Sequence, residues 1–381
     1  MNTRDYSNEF KFMLLCLRDD IEVDEETISH SEINWGVFLD LVIHHRVYSI
    51  VFLKLKNLGS NSILIPQEIM NKLQQLFTKN AYKMLELTRE MGVVCKRFAE
   101  NDVPLILLKG PVLAVTLYGD ISRRTSKDLD LFVDVEDVNK SMDILLESGY
   151  QMKDEKLLNN WLIKTHHLSF VHPVHHVQIE LHWRLNPNLR AAPTFKDFWN
   201  RKNEVSISNQ TYYYLGNEDL LLYLSEHGSR HGWSRLRWLM DIDRLLKNHS
   251  ISSVRLQRSL KQYKVKHFVK QAILLSHYLL SSEPSIEISK IIPFKKSNKQ
   301  LERVIERIEE NCYSTGNMDI QYDWYFFLLM SSGQKLHYVR MLFTPSSKDA
   351  SMLPLSKRYH FIYFFLRPFL LILRLLKRGS T

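Results

Sequence analysis

Cysteine, glycine and proline are all scarce in this chain. The three cysteines of its 381 residues, Cys16, Cys95 and Cys312, stand far apart, and no two have metal-ligand spacing. An odd, scattered set is a poor disulfide framework and fits a reducing cytoplasm. Only 12 glycines and 11 prolines interrupt long stretches rich in Leu, Lys, Glu and Ile, which favours a mostly helical protein. No apolar run is long and charge-free enough to span a bilayer. The early run "FKFMLLCL" meets Arg18, Asp19 and Asp20 at once, with no small-residue cleavage site, unlike a signal peptide. Internal repeats and low-complexity tracts are also missing.

Acidic residues are missing from one region. Residues 350–381 carry Lys357, Arg358, Arg367, Arg374, Lys377 and Arg378 and no Asp or Glu, so most of the formal charge of +9 belongs to this tail. The body is only mildly basic and lacks a Lys/Arg–aromatic stripe. That is weak support for a nucleic-acid groove.

Helical spacing covers 8–17, 33–58 and 66–100, broken at Gly59–Ser62 and restarted at Pro66. The texture then changes. "VPLILLKG" (103–110) reads as a short buried strand and a turn, Pro111 opens a helix to Gly119, and 128–133 is a second strand. An amphipathic helix follows over 135–150, closed by Gly149, and then two strands, "HHLSFVHP" and "HVQIELHW", around Pro173. Residues 205–215 suggest a hairpin turning at Asn209–Gln210, and Asn217 a cap for a helix starting at Glu218. The remainder reads as helical. The expected class is α+β: a small mixed-sheet core over 101–190, a helical domain over 1–100, and a hairpin plus mostly helical domain over 191–381.

The chemistry concentrates in "RRTSKDLDLFV" (123–133). On a strand, Asp128 and Asp130 share one face, while Leu129, Leu131 and Val133 point into the core. Two neighbouring carboxylates repel unless a positive charge lies between them, and hard oxygen ligands suit Mg²⁺ or Mn²⁺. In "HVQIELHW", Gln178, Glu180 and His182 share a face. If that strand lies beside the first, Glu180 completes a three-carboxylate cluster suited to in-line phosphoryl chemistry. Lys109 and Gly110, at the start of a helix, would steer phosphates. Arg123, Arg124 and Ser126 are further phosphate-binding candidates.

The order strand–"KG"–helix–Arg–"DLDLFV"–helix–"IELHW" resembles the polymerase-β-type nucleotidyltransferase superfamily. More narrowly, it is similar to an uncharacterised bacterial nucleotidyltransferase-like family reading roughly "LLKG…Y…R…DiDlLV…Gy…vdlHw". The match covers about 103–183, and "HGSRHGWSRLRWLMDIDRLL" (227–246) resembles that family's next helix pair. The resemblance implies an NTP donor, with ATP expected, two Mg²⁺ ions, Asp128 and Asp130 as the metal pair, Glu180 as third carboxylate and Gly110 as phosphate-loop glycine. The chain departs from the superfamily in having Pro111 where a Ser or Gly is usual, and Glu180 where Asp is common.

Competing readings are weighed beside this one. A catalytically silent nucleotide-binding or scaffold protein would share the fold, and the missing hydroxyl after Gly110 supports it. A sugar-nucleotide D-x-D site would need a longer N-terminal α/β segment than this helical one. His166, His167, His172, His175, His176 and His182 crowd one region, yet fit ordinary hydrogen bonding better than a zinc finger. His227 and His231, four apart on a helix, could hold a metal or an acceptor substrate, although a packed, hydrogen-bonded pair is preferred, and His182 could orient Glu180 or a phosphate. The expected acceptor is a small molecule, sugar or protein rather than nucleic acid. For the basic tail, docking on the core with its arginines in water is preferred to weak membrane-surface contact through 357–378.

Overall fold

The computed structural model describes residues 6–19, 32–57, 65–153, 161–185, 193–293, 299–310 and 318–378. Gly59–Ser62 and Cys312 lie outside the described residues. The architecture is α+β, with helical flanks around one mixed sheet of seven strands.

The strands are β1 (Ile106–Leu107), β2 (Asp128–Phe132), β3 (Gln151–Met152), β4 (His167–Val171), β5 (Gln178–His182), β6 (Asn203–Ile207) and β7 (Gln210–Tyr214), ordered β3-β4-β5-β2-β1-β7-β6. The β2–β5 and β1–β7 pairs are parallel, and the other pairs are antiparallel. The hairpin extends the central sheet through β7, which a local reading of its sequence could not show.

Alternation along β2 sorts its residues between two cores. Leu129, Leu131 and Val133 join Ile179, Leu181, Phe170 and the inner stripe Met84, Leu87, Met91, Val94 and Phe98 of the helix Gln67–Glu100. That helix has 34 residues and is therefore about 50 Å long. Its apolar residues recur at three and four along one face, which is why it can back the whole sheet. Phe132 points the other way and packs edge-on against Phe195 and Phe198 in the larger core, which gathers the N-terminal and C-terminal helices.

Several local expectations shift. The stretch 33–58 is two helices, Trp35–His44 and Tyr48–Lys56, separated where Arg46 takes a positive φ of 56°. The hairpin turns at Ser208–Asn209, one residue early, with both residues at positive φ as a tight two-residue turn requires. Asn217 does not cap its helix. Gly216 occupies that position, while the Asn217 side chain accepts from Asn203 and donates to the Ser250 carbonyl.

Docking on the core is not what the fold shows: the C-terminal helix packs through Tyr363 and Leu370 on Ala350, in a small cluster apart from the main core, and among its arginines one is not in water, Arg367. It is buried against Asp349 and donates to the Leu342 carbonyl at 2.8 Å. Among the described residues no helix is long and apolar enough to cross a membrane.

Candidate active site

The parallel pairing of β2 with β5 sets Asp128 opposite Gln178, Asp130 opposite Glu180 and Phe132 opposite His182. Strand alternation then turns Asp128, Asp130, Glu180 and His182 to one face of the sheet. The register follows from the apolar partners: Leu129 with Ile179 and Leu131 with Leu181 must share the buried face, and a slip of one residue would turn the slipped strand's two out of it.

Asp130 sits at the centre and is 2% exposed. Its Oδ1 meets Lys109 Nζ at 3.2 Å and His182 Nε2 at 3.3 Å. His182 Nε2 also lies 3.3 Å from Glu180 Oε2, so one imidazole links both strands' carboxylates. Asp130 Oδ2 and His182 Nδ1 are buried without hydrogen-bond partners. Ligand atoms of Asp130, Glu180 and His182 all fall within 4.8 Å of one another. Asp128 stands outside that trio, one strand repeat further along the same face, and is partly exposed.

The charges here are unevenly compensated. Burial would raise the Asp130 carboxyl, but Lys109 and His182 hold it well below the usual carboxylate range. For Asp128, burial and then the charges of Asp130 and Glu180 push the carboxyl up to about 6. Burial would raise the Glu180 carboxyl, but His182 and His167 together hold it below its ordinary value. Burial works against the charge of His182 and of Lys109, yet the carboxylates around them hold both above their ordinary values. Positive charge is therefore plentiful at the Asp130 end and short at the open Asp128 end.

Lys109 ends the segment after β1, and its Nζ lies 5.7 Å from the ring of buried Tyr223. Gly110 follows with φ 79° and ψ −142°, a conformation closed to side-chain-bearing residues, and caps the helix Pro111–Tyr118. A Cβ there would stand 3.6 Å from the Asp128 carbonyl, so the loop lies against the start of β2. Pro111 removes one amide donor, and Ala114 N–H already bonds the Gly110 carbonyl. Val112 and Leu113 are left as the amides at the helix start without a helical partner.

The arginine candidates part company. Arg124 is 1% exposed, and its Nε and Nη2 each lie 2.8 Å from an oxygen of Asp241. It is committed to a structural pair. Arg123 is exposed, and its guanidinium reaches back to the Tyr118 carbonyl. Ser126 Oγ donates to the Asp128 carbonyl at 3.2 Å, bracing the strand start.

His227 and His231 pack ring to ring at 4.7 Å, each against Trp238 at 5.4 Å. His227 is buried and, by burial and then the charge of Lys109, held neutral. His166 and His167 lie beside His182, with ring centroids 5.8 Å and 5.0 Å from it. Arg230 donates to His166 at 3.1 Å. His172 and His175 stack on each other, and His175 reaches Glu90.

Two residues escaped the sequence reading. Tyr223 forms a wall behind Lys109, and Arg237, which donates to Thr125, offsets a small part of the rise at Asp128. Both come from helices about a hundred residues after the strand, so no local spacing announced them.

A glycine turn before a short helix, and a face of carboxylates from two parallel strands, agree with a nucleotidyltransferase-type protein, and the class itself comes from the family match. The chain belongs to the family described as uncharacterised nucleotidyltransferase, whose model matches residues 31–281. No curated protein and no solved structure matches it.

Proposed function

We propose that the protein is a divalent-cation-dependent nucleotidyltransferase. It would move a nucleoside monophosphate from an NTP, with ATP as the expected donor, to an acceptor hydroxyl or phosphate. The in-register pairing of Asp130 with Glu180, with Asp128 beside them, carries this reading.

The donor set fits Mg²⁺ or Mn²⁺. It offers hard carboxylate oxygens, one of which, Asp130 Oδ2, is buried without a partner, and an end at Asp128 short of positive charge. Asp130 and Glu180 would hold the cation, with Asp128 one strand repeat along the same face toward the open end, and the cation when bound supplies charge neutralisation at the reacting phosphoryl group. The Gly110 loop and the amides of Val112 and Leu113 would receive the donor's phosphates, with Lys109 beside them. The acceptor oxygen would form a bond to the α-phosphorus as the bond to the pyrophosphate oxygen breaks. Glu180, ionised, would take the acceptor's proton. His182 would fix the Glu180 and Asp130 carboxylates by its shared contact. The protein's work is positioning and charge placement.

A small molecule, sugar or protein acceptor in a cytoplasmic setting fits the mildly basic body better than nucleic acid does. The second reading, nucleotide binding without turnover, is favoured by one feature: Gly110–Pro111 offers neither a hydroxyl nor an amide at the first helical position. Incubation with α-labelled NTPs, Mg²⁺ and fractionated extract tests the pair. A labelled acceptor that disappears with Asp130→Asn supports transfer. Cation-dependent binding without product supports the silent reading, and no nucleotide binding at all defeats both.

A further inference from the structure

The C-terminal helix Ile362–Arg378 has two apolar faces, and the fold uses only one. Tyr363 and Leu370 are buried, and Arg367 is buried between them on Asp349. On the opposite side Phe361, Phe364, Phe365, Phe369, Ile372 and Leu373 are 60%, 55%, 74%, 66%, 55% and 48% exposed. Their spacing of mostly three and four residues puts them on about half of the helix circumference. Together they open on the order of 600 Å² of apolar surface, the upper end of what a monomer surface carries.

We propose that this face lies on the surface of an anionic lipid bilayer. The charges around it choose the occupant. Lys357 and Arg358 precede the stripe and are exposed, Arg374, Lys377 and Arg378 close the sequence behind it, and residues 350–381 contain no acid. A bilayer rich in anionic headgroups complements basic residues at both ends of an aromatic stripe. A second copy of the chain does not: it would set one all-basic segment against another with no acid in either to pair. No described helix is long and apolar enough to cross a bilayer, and this one has 17 residues. It therefore lies in the interface, its aromatic face among the upper acyl chains, while its inner face packs on the segment just before it, through Tyr363, whose hydroxyl donates to the Leu353 carbonyl at 2.6 Å, and through Arg367, which donates to the Leu342 carbonyl.

The test is flotation of the full chain with phosphatidylcholine vesicles, with and without phosphatidylglycerol. The chain should float with the anionic vesicles, float poorly with phosphatidylcholine alone, and be released as salt rises. Phe365→Glu with Phe369→Glu, both at exposed positions, should reduce partition at least about tenfold while leaving the melting temperature in place. Lys357→Glu with Arg358→Glu should weaken binding to anionic vesicles only. Three results overturn the proposal: no flotation, flotation that the phenylalanine variant leaves unchanged, or loss in that variant of a dimer seen by light scattering without any vesicle binding. None depends on nucleotide chemistry, and Asp130→Asn should float like the parent.

Discussion

Two buried ionic clusters stand on neighbouring parts of this molecule, and they are built differently. In the first, Asp241 receives Arg124 Nε on one oxygen and Nη2 on the other, with the Tyr118 hydroxyl at 2.7 Å, so both carboxylate oxygens are satisfied at short range. In the second, Asp130 takes Lys109 and His182 on one oxygen at 3.2 and 3.3 Å, and its other oxygen has no partner. The first is closed and bidentate, as a pair that fixes the segment before β2 to the helix Leu236–Asn248 should be. The second is loosely held, opens toward Asp128, and leaves a hard buried oxygen free. Burial of charge alone does not separate structure from function here; the satisfaction of the acceptor oxygens does.

Breaking the closed cluster should have the largest effect on stability. Asp241→Ala leaves the Arg124 guanidinium buried and uncompensated, which costs about 3–5 kcal/mol. Chemical denaturation should show that loss, while the protein that remains folded keeps its nucleotide affinity. If affinity falls with unchanged stability, Arg124 belongs to the site after all.

Breaking the open cluster should do the reverse. Asp130→Asn should lower cation-dependent transfer by about a hundredfold or more, measured as label moved from α-labelled NTP, with a smaller loss of melting temperature than Asp241→Ala gives, because Glu180 still faces Lys109 and His182, and Asp128 still faces Lys109. A large stability loss with transfer intact would make the two clusters alike.

Gly110→Ala sharpens the same contrast from the loop side. No clash is expected with a contact at 3.6 Å, but φ 79° with ψ −142° strains an alanine by about 1–3 kcal/mol. The loop should move rather than the fold melt, so nucleotide affinity should fall more than the melting temperature.

Acid should produce the smallest and most gradual effect. Burial holds His44 and His267 at about 4, below the ordinary 6.5. As pH falls from 6.5 toward 4 the unfolded chain takes protons that the folded chain refuses, and stability is lost across that window. His182 acts in the opposite sense: held above 6.5 by Asp130 and Glu180 against its burial, it stabilises fully below that pH and less above its folded value. Melting temperature against pH should therefore decline below neutrality in the parent. His267→Gln should decline less, and His182→Gln should decline more.

The alternation D-L-D-L-F and Q-I-E-L-H was legible because period two needs no tertiary information, and the two strands do lie side by side. Gly110 was legible for a local reason too, since the turn before Pro111 demands a residue without a side chain. The fate of Arg124 was not. Its distance from Asp241 in sequence hides the pairing, and a basic residue before an acidic strand looks the same whether it serves a phosphate or a helix. The tail was read half correctly. Its apolar periodicity announced a helix, but that it would pack on the preceding helix and not on the main core, and that Arg367 would go in with it, depended on Ala350, Asp349 and the Leu342 carbonyl.

The central claim is that the open carboxylate face receives a cation together with a nucleotide. Calorimetric titration of a non-hydrolysable NTP into the full chain, with and without Mg²⁺, tests it most directly against the Asp128→Asn, Asp130→Asn double variant. The account predicts binding that needs Mg²⁺ in the parent and vanishes in the variant. Equal binding with and without the cation, or binding that survives the loss of both aspartates, would contradict it.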